Sequence, residues 1–298
     1  MFISNYLHMP KGHANFDFVD IKTHDDTELF IDPCLIELAT DNLSRMASSL
    51  IADFADTLYL DMRRGRWHES HIFDHAHEIH DTKLGYGNGA NGKGKTAEGL
   101  KDCLNGLCEL ANNIPSITRI QDISVFVEDF AEDSMSDLLT NILHKLLCEF
   151  TAKQMEIYGK YPSGFHEVKS WSRASHRWAT STQPYWLVNG KKVLLVPKHW
   201  VRKRFLFKAH QYLFSTIIDR IRDDPTYADL SKKEIWESLE RTFEHWEYEH
   251  VINYTWENPD ALDEYHSRML HYYRRARGRM SNSALDAVTY GFCDEEIA

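Results

Sequence analysis

Apolar residues recur three or four positions apart through much of this chain. Leu43, Met46, Leu50, Phe54 and Leu58 follow Thr40 and Asp41, either of which can cap a first turn, and they predict a helix to about Arg63. Leu100, Cys103, Leu104, Leu107 and Leu110 predict a second helix, ending at Asn112-Asn113 ahead of Pro115. Leu138, Leu139, Ile142, Leu146, Leu147 and Phe150 give a wide apolar face to a third, which Ser134 or Ser136 can cap and which runs through about Tyr158. Beyond Pro197 the pattern reads almost entirely as helix. One element covers Trp200 to Arg222, Ser231 with Glu234 forms a capping box for the next, and Pro259 opens another after Asn258.

Other segments have a strand pattern. Phe16 to Lys22 alternates, Leu29 to Asp32 is a short apolar run stopped by Pro33, and Ile123 to Val127 reads as a buried strand rich in β-branched and aromatic residues. Tyr185 to Val188, the pair Asn189-Gly190, and Val193 to Val196 form the clearest hairpin signal. Gly159 to Gln183, rich in Ser, Gly and Pro, reads as a loop. The expected fold is therefore α+β: a small mixed sheet flanked by helices, with a mainly helical C-terminal part. A boundary near residue 197 would divide a mixed α/β region, 1–197, from a helical region, 198–298, or the two form one continuous domain.

With 298 residues, 43% of them apolar, the chain can bury a substantial core. No apolar run approaches the roughly 18 residues of a membrane span, and Met1 to His13 lacks the basic-then-apolar layout of a signal peptide, so a cytoplasmic protein is expected. The five cysteines form no C-x-x-C pair and read as reduced packing residues. A net charge of −11 argues against non-specific coating of nucleic acid. The charge is uneven, however: Asp122 to Asp137 is acidic, while Lys198 to Lys208 and Arg268 to Arg279 are basic. Local basic stripes on an acidic protein suit a phosphate-handling enzyme, and they equally suit solvated helix faces.

Several constellations carry chemistry. Gly89 to Thr96 matches the phosphate-loop string, with Gly89, Gly92, Gly94, Lys95 and Thr96 in its fixed places, and predicts nucleotide binding. The residues before it, His80 to Asn88, do not read as the buried strand such a loop hangs from, so a flexible glycine loop is the competing reading. Glu128, Asp129, Glu132, Asp133 and Asp137 cluster where a strand is expected to pass into a helix, a place suited to magnesium or manganese. First-turn acidic residues also complement the helix dipole without any metal. Lys198, just past the apolar run Val193 to Val196, could orient a water or stabilise developing charge. That arrangement resembles nucleases of the PD-(D/E)xK kind, although Val196 stands where their pattern has an acidic residue, and no family follows from it.

His68, His71, His75, His77 and His80 are dense but match no zinc module; among their neighbours Glu78 is the residue placed to meet a ligand. Arg202, Lys203 and Arg204, then Arg274, Arg275 and Arg277, lie among aromatics and are candidates for gripping nucleic acid. Three functions follow. The leading one is a metal-dependent nuclease or related phosphodiester hydrolase acting on DNA or RNA, with Asp133, Asp137 and Lys198 catalytic and Asp32, Glu78 and Asp133 holding the metal. Defence against foreign nucleic acid is a context it would suit. The second is a nucleotide-binding protein built on Gly89 to Thr96. The third is a non-catalytic subunit of a larger complex or homo-oligomer, with the aromatics between Trp236 and Tyr273 as interface anchors.

Overall fold

The computed structural model describes residues 1–67, 71–75, 79–86, 97–128, 130–227, 229–240, 245–275 and 278–291. Helix α1 (Ile3–Leu7) leads into extended chain, and β1 (Phe30–Ile31) is followed at once by α2 (Pro33–Leu38). Asp32 caps α2 by accepting from the Cys34 N–H at 2.9 Å, and Pro33 sits in the first turn, where its missing N–H costs nothing. The long α3 (Asn42–Arg63) begins at Asp41, whose carboxylate accepts from the Ser44 N–H at 3.0 Å. Helix α4 (Ala97–Asn113) follows. These two helices match the expected spans closely because their caps and stops are local signals.

Ile123 to Val127 is not a strand. Residues Ile123–Phe126 form one buried helical turn, α5, entered from a tight turn in which the Asp122 carboxylate accepts from the Thr118 and Arg119 N–H groups. A short apolar run has no period with which to choose between strand and helix, and here the Asp122 turn decides. The acidic residues after it therefore follow a helix instead of ending a strand. The helix expected through Tyr158 is two, α6 (Glu132–Ile142) and α7 (His144–Ile157), meeting at Leu143.

Gly159 to Gln183 is largely sheet. Strand β2 (Gly164–Ser172) pairs antiparallel with β3 (Arg177–Val188), with Trp171 opposite Trp178, and β3 pairs with β4 (Lys191–Val193) across Asn189 and Gly190. Asn189 (φ 52°) and Gly190 (φ 72°) supply the left-handed pair that the hairpin turn requires. The β2–β3 ribbon escapes a reading by pattern because its outer positions carry Ser, Thr, His and Lys. Its anchors are tertiary: the Trp171 indole donates to Asp53 at 2.7 Å and the Trp178 indole to the Ile72 carbonyl at 2.8 Å.

The single helix expected over Trp200 to Arg222 is also corrected. Lys198–Trp200 is a 3-10 turn, and β5 (Val201–Arg202) pairs antiparallel with β1, Phe30 opposite Arg202. Helix resumes as α8 (Ala209–Tyr212), widens to a π turn over Leu213–Ile217, and ends as α9 (Ile218–Arg222). Pairing with β1 overrides the helical spacing at the front of this segment. Phe16 to Lys22 is extended, but it makes isolated bridges, Phe18 with Pro197 and Lys22 with Phe2, where a ladder was expected. The C-terminal helices are α10 (Lys232–Leu239), with the Ser231–Glu234 capping box in place, α11 (Trp246–Glu257), α12 (Asp260–Arg275) and α13 (Asn282–Tyr290).

The result is a mixed α+β fold, with a two-stranded and a three-stranded sheet among helices and a helical C-terminal part. One apolar core takes side chains from both sides of residue 197, including Phe30, Phe54, Leu139, Trp200, Tyr212, Tyr265 and Leu285. Among the described residues, no helix is long and apolar enough to cross a membrane.

Candidate functional site

A cavity of about 880 Å³ opens where the end of α2, the first turns of α3, the middle of α7, the Lys198–Trp200 turn and the end of α12 converge. Lys153, Lys198, Arg274 and Arg279 line it, against Asp17, Asp41 and Glu149, so its wall carries four cations and three carboxylates beside His199. Lys153, Arg274 and Arg279 are exposed and make no ion pair among the described residues. With four cations against three carboxylates, the wall keeps a small positive excess, and its exposed, unpaired cations are available to an anion.

Lys198 is held firmly. Its Nζ donates to the His13 carbonyl at 2.5 Å, and its backbone N–H donates to the Asp17 carbonyl at 3.0 Å. Burial lowers its pKa below the ordinary lysine value; the Asp17 charge opposes that and Arg279 reinforces it. The His13 that receives Lys198 is fully buried. Its Nδ1 donates to Asp286 at 2.6 Å and its Nε2 accepts from the Asp20 N–H at 3.2 Å, an assignment of the neutral ring that uses both nitrogens. Burial lowers its pKa, against the pull of Asp286. Tyr290 completes the group by donating to Asp20 Oδ2 at 2.7 Å.

Ser44, His199 and Asp41 also meet at the cavity edge. Both Asp41 Oδ2, at 3.1 Å, and Ser44 Oγ, at 3.2 Å, approach the same His199 nitrogen, Nε2. A nucleophilic triad needs serine and carboxylate on opposite ring nitrogens, and here Ser44 already donates to Asp41 at 2.6 Å and accepts from the Trp200 indole at 2.7 Å. This is a structural knot around a helix cap. Burial lowers the pKa of His199, with Asp41 opposing.

Of the residues singled out from sequence, Lys198 and Arg274 line this cavity; Asp32, Asp133 and Asp137 do not. Asp32 is buried, with Oδ1 on the Cys34 N–H and Oδ2 accepting from Tyr273 at 2.8 Å, and with Arg202 Nε 4.0 Å away. Burial raises its pKa to about 6, against the Tyr273 bond and the Arg202 charge. It ties α2, β5 and α12 together. Both of its oxygens already accept hydrogen bonds, and among the described residues no three His, Cys, Asp or Glu side chains converge as a metal site would need.

Asp133 is half-buried in the first turn of α6, beside the backbone of Gly85: a Cβ built there would lie 2.9 Å from Asp133 Oδ1. Asp137 is half-buried one turn on, and its carbonyl accepts from the Asn141 amide at 2.9 Å. Arg202 donates to the Gly278 carbonyl at 3.1 Å and lies over the Tyr273 ring, and Lys203 pairs with Glu28 at 3.2 Å. Arg204 is exposed and lines a smaller cavity, about 340 Å³, with Glu128, Glu132 and Lys208. Glu78, Gly89, Gly92, Gly94, Lys95, Thr96, Arg277 and the Arg275 side chain lie outside the described residues.

Sequence reasoning did not single out Asp17, Glu149, Lys153, Gln154, His199 or Arg279 as members of one site, and it read Asp41 only as a cap. Glu149, Lys153 and Gln154 share α7, but Asp17, Asp41, His199 and Arg279 each come from another stretch of chain, and no spacing rule joins these to the helix. A model of one family, described as a domain of unknown function (DUF8370), matches residues 8–208. No curated protein and no solved structure matches the chain.

Proposed function

The chain belongs to the DUF8370 family, and within it we propose that this protein is a phosphodiester hydrolase acting on nucleic acid, with its site in the cavity at Lys198. One observation supports this reading above the others: four cationic side chains share a wall with three carboxylates, pairing groups that hold phosphate oxygens with groups that take a proton from water. Arg274 and Arg279 present planar forks suited to bidentate contact with phosphate. Lys198, with one proton committed to His13, has two left for oxygens on which charge develops. Asp17 is exposed, and its carboxylate makes no hydrogen bond among the described residues, so it is the group suited to act as general base. We place the enzyme in the cytoplasm.

The test is cleavage of single- and double-stranded DNA and RNA by the purified protein, with and without magnesium or manganese, beside Lys198→Ala and Arg274→Ala. Loss of about 100-fold or more in rate in Lys198→Ala with unchanged melting supports the site. Undiminished cleavage in both variants would move the chemistry elsewhere. If the wild type cuts nothing, the hydrolase reading falls, and titration of nucleotide against Lys95→Ala would then address Gly89 to Thr96. A complex subunit would instead rely on exposed aromatics such as Trp256 and Tyr272, which are 44% and 43% exposed.

A further inference from the structure

The Lys198 cavity does not end at α7. A second cavity, of about 590 Å³, shares Met46, Leu146 and Glu149 with it and continues between α3 and α7 towards β2 and β3. The far end is lined by Arg45, Lys145 and Arg173. Arg45 and Arg173 donate to the neutral side chains of Asn42 and Ser49, which leave their charge uncompensated. Two cavities that each present cations, joined over Leu146, the 54%-exposed Met46 and Glu149, which pairs with Lys145 at 3.8 Å, make one groove with positive ends and a single carboxylate among the apolar side chains of its middle. A compact anion would engage one end only. A polyanion engages both.

Gln154 adds a second, independent observation. It is 5% exposed as a residue and lines the Lys198 cavity; its side-chain amide is bonded to no described residue and is not among the polar groups buried without a partner, so the amide opens into the cavity. An amide whose donor and acceptor are both unengaged at a cavity wall is open to a ligand. It offers a donor and an acceptor side by side, the arrangement that pairs with the edge of a nucleobase. The Watson–Crick edge is free for such pairing only when the base is unpaired, and a base displayed within a cavity is one taken out of a duplex.

Resting on the reading of this cavity as a nucleic-acid site, we propose that its substrate is a single strand laid along the groove between α3 and α7, with one base read by Gln154. Along α7 from Lys145 to Gln154 the helix rises about 14 Å, room for about four nucleotides at the ~3.4 Å spacing of a stacked strand. Lys198, Arg274 and Arg279 hold the phosphate at one end, and Arg45 and Arg173 steady the strand at the other.

The experiment is fluorescence anisotropy of the full chain, without divalent metal, against labelled single-stranded dinucleotides, tetranucleotides and octanucleotides. A duplex of the same sequence and a mononucleotide complete the series. Affinity should rise by about ten-fold or more from dinucleotide to tetranucleotide and then level, with the duplex weaker. In the double variant Arg45→Ala, Arg173→Ala, the gain with length should vanish while dinucleotide binding stays as in the wild type. Gln154→Leu, which keeps the volume of the wall, should reduce discrimination among homopolymers by several-fold with little effect on melting temperature. Equal affinity for mononucleotide and octanucleotide, lost in Lys198→Ala, would overturn the strand while leaving the cavity reading intact. A preference for duplex would also overturn it. Absence of binding by every probe would remove both.

Discussion

Lys198 Nζ and the backbone carbonyl of His13 lie 2.5 Å apart, so this lysine of the proposed site is aimed by a peptide group whose own position is set by the buried His13–Asp286 pair. A lysine on a free stem would sample many rotamers. Here its ammonium is fixed by a carbonyl that the fold itself holds in place.

Removing Asp286 therefore acts on both stability and the site. Asp286→Ala leaves the His13 Nδ1–H and the His13 backbone N–H without their shared acceptor, the latter at 2.8 Å, and should cost about 2–3 kcal/mol. Urea unfolding measures the cost. If Asp286→Ala unfolds at the wild-type midpoint, the pair does not hold His13.

Asp32 gives a pH signature of defined sign. Its folded pKa is raised from 3.8 to about 6 by burial, so the folded state holds a proton that the unfolded state releases between those values. Its contribution is fully present below about pH 4 and is lost as pH rises through about 6. The stability of wild type minus that of Asp32→Asn should thus fall by roughly 2–3 kcal/mol between pH 4 and pH 7. A flat difference across that range would mean that Asp32 is ionised throughout.

His13 works in the opposite direction. Burial depresses its folded pKa below 6.5, so the unfolded chain binds the extra proton on acidification and stability falls as pH drops below about 6.5. Conversion of His13 to Gln should flatten this part of the profile, as read from urea midpoints between pH 5 and pH 7. An unchanged slope would assign it to another group.

Gly85 combines a φ of +139° with the close approach of Asp133, whereas Gly190 has φ 72° and open space around its Cβ position. Gly190→Ala should cost about 1 kcal/mol and Gly85→Ala more. Adding Asp133→Ala should recover part of the Gly85→Ala loss in a double-mutant cycle. Strict additivity of the two changes would show that the carboxylate does not crowd Gly85.

At the cavity edge, Asp41→Ala removes the cap of α3 and should cost about 1–2 kcal/mol, while Asp41→Asn, which can still accept from the Ser44 N–H, should cost a few tenths. Equal losses in thermal melts would mean that the charge matters more than the cap.

The parts of this fold that could be read from sequence are those with local causes. Asp41 caps α3, Asn189-Gly190 turns the β3–β4 hairpin, and Ser231 with Glu234 starts α10, each within four residues of what it controls. The β2–β3 ribbon could not be read in the same way, because its register is fixed by indoles reaching Asp53 and Ile72, more than a hundred positions away. Val201 and Arg202 look helical until β1 is laid beside them. The site behaves alike. Lys198 and Arg274 were visible as members of basic stripes, but Asp17, Glu149 and Gln154 acquire meaning only when residues 13–20 and α7 are brought to the same cavity.

The clasp of His13 and Asp20 with Asp286 and Tyr290 also orders events in time. Residues 13–20 leave the ribosome some 270 positions ahead of the side chains that fix them, so the carbonyl that aims Lys198 is set only when α13 has emerged. Under the proposed activity, the nascent chain would stay inert beside the message that encodes it until α13 had packed against residues 13–20.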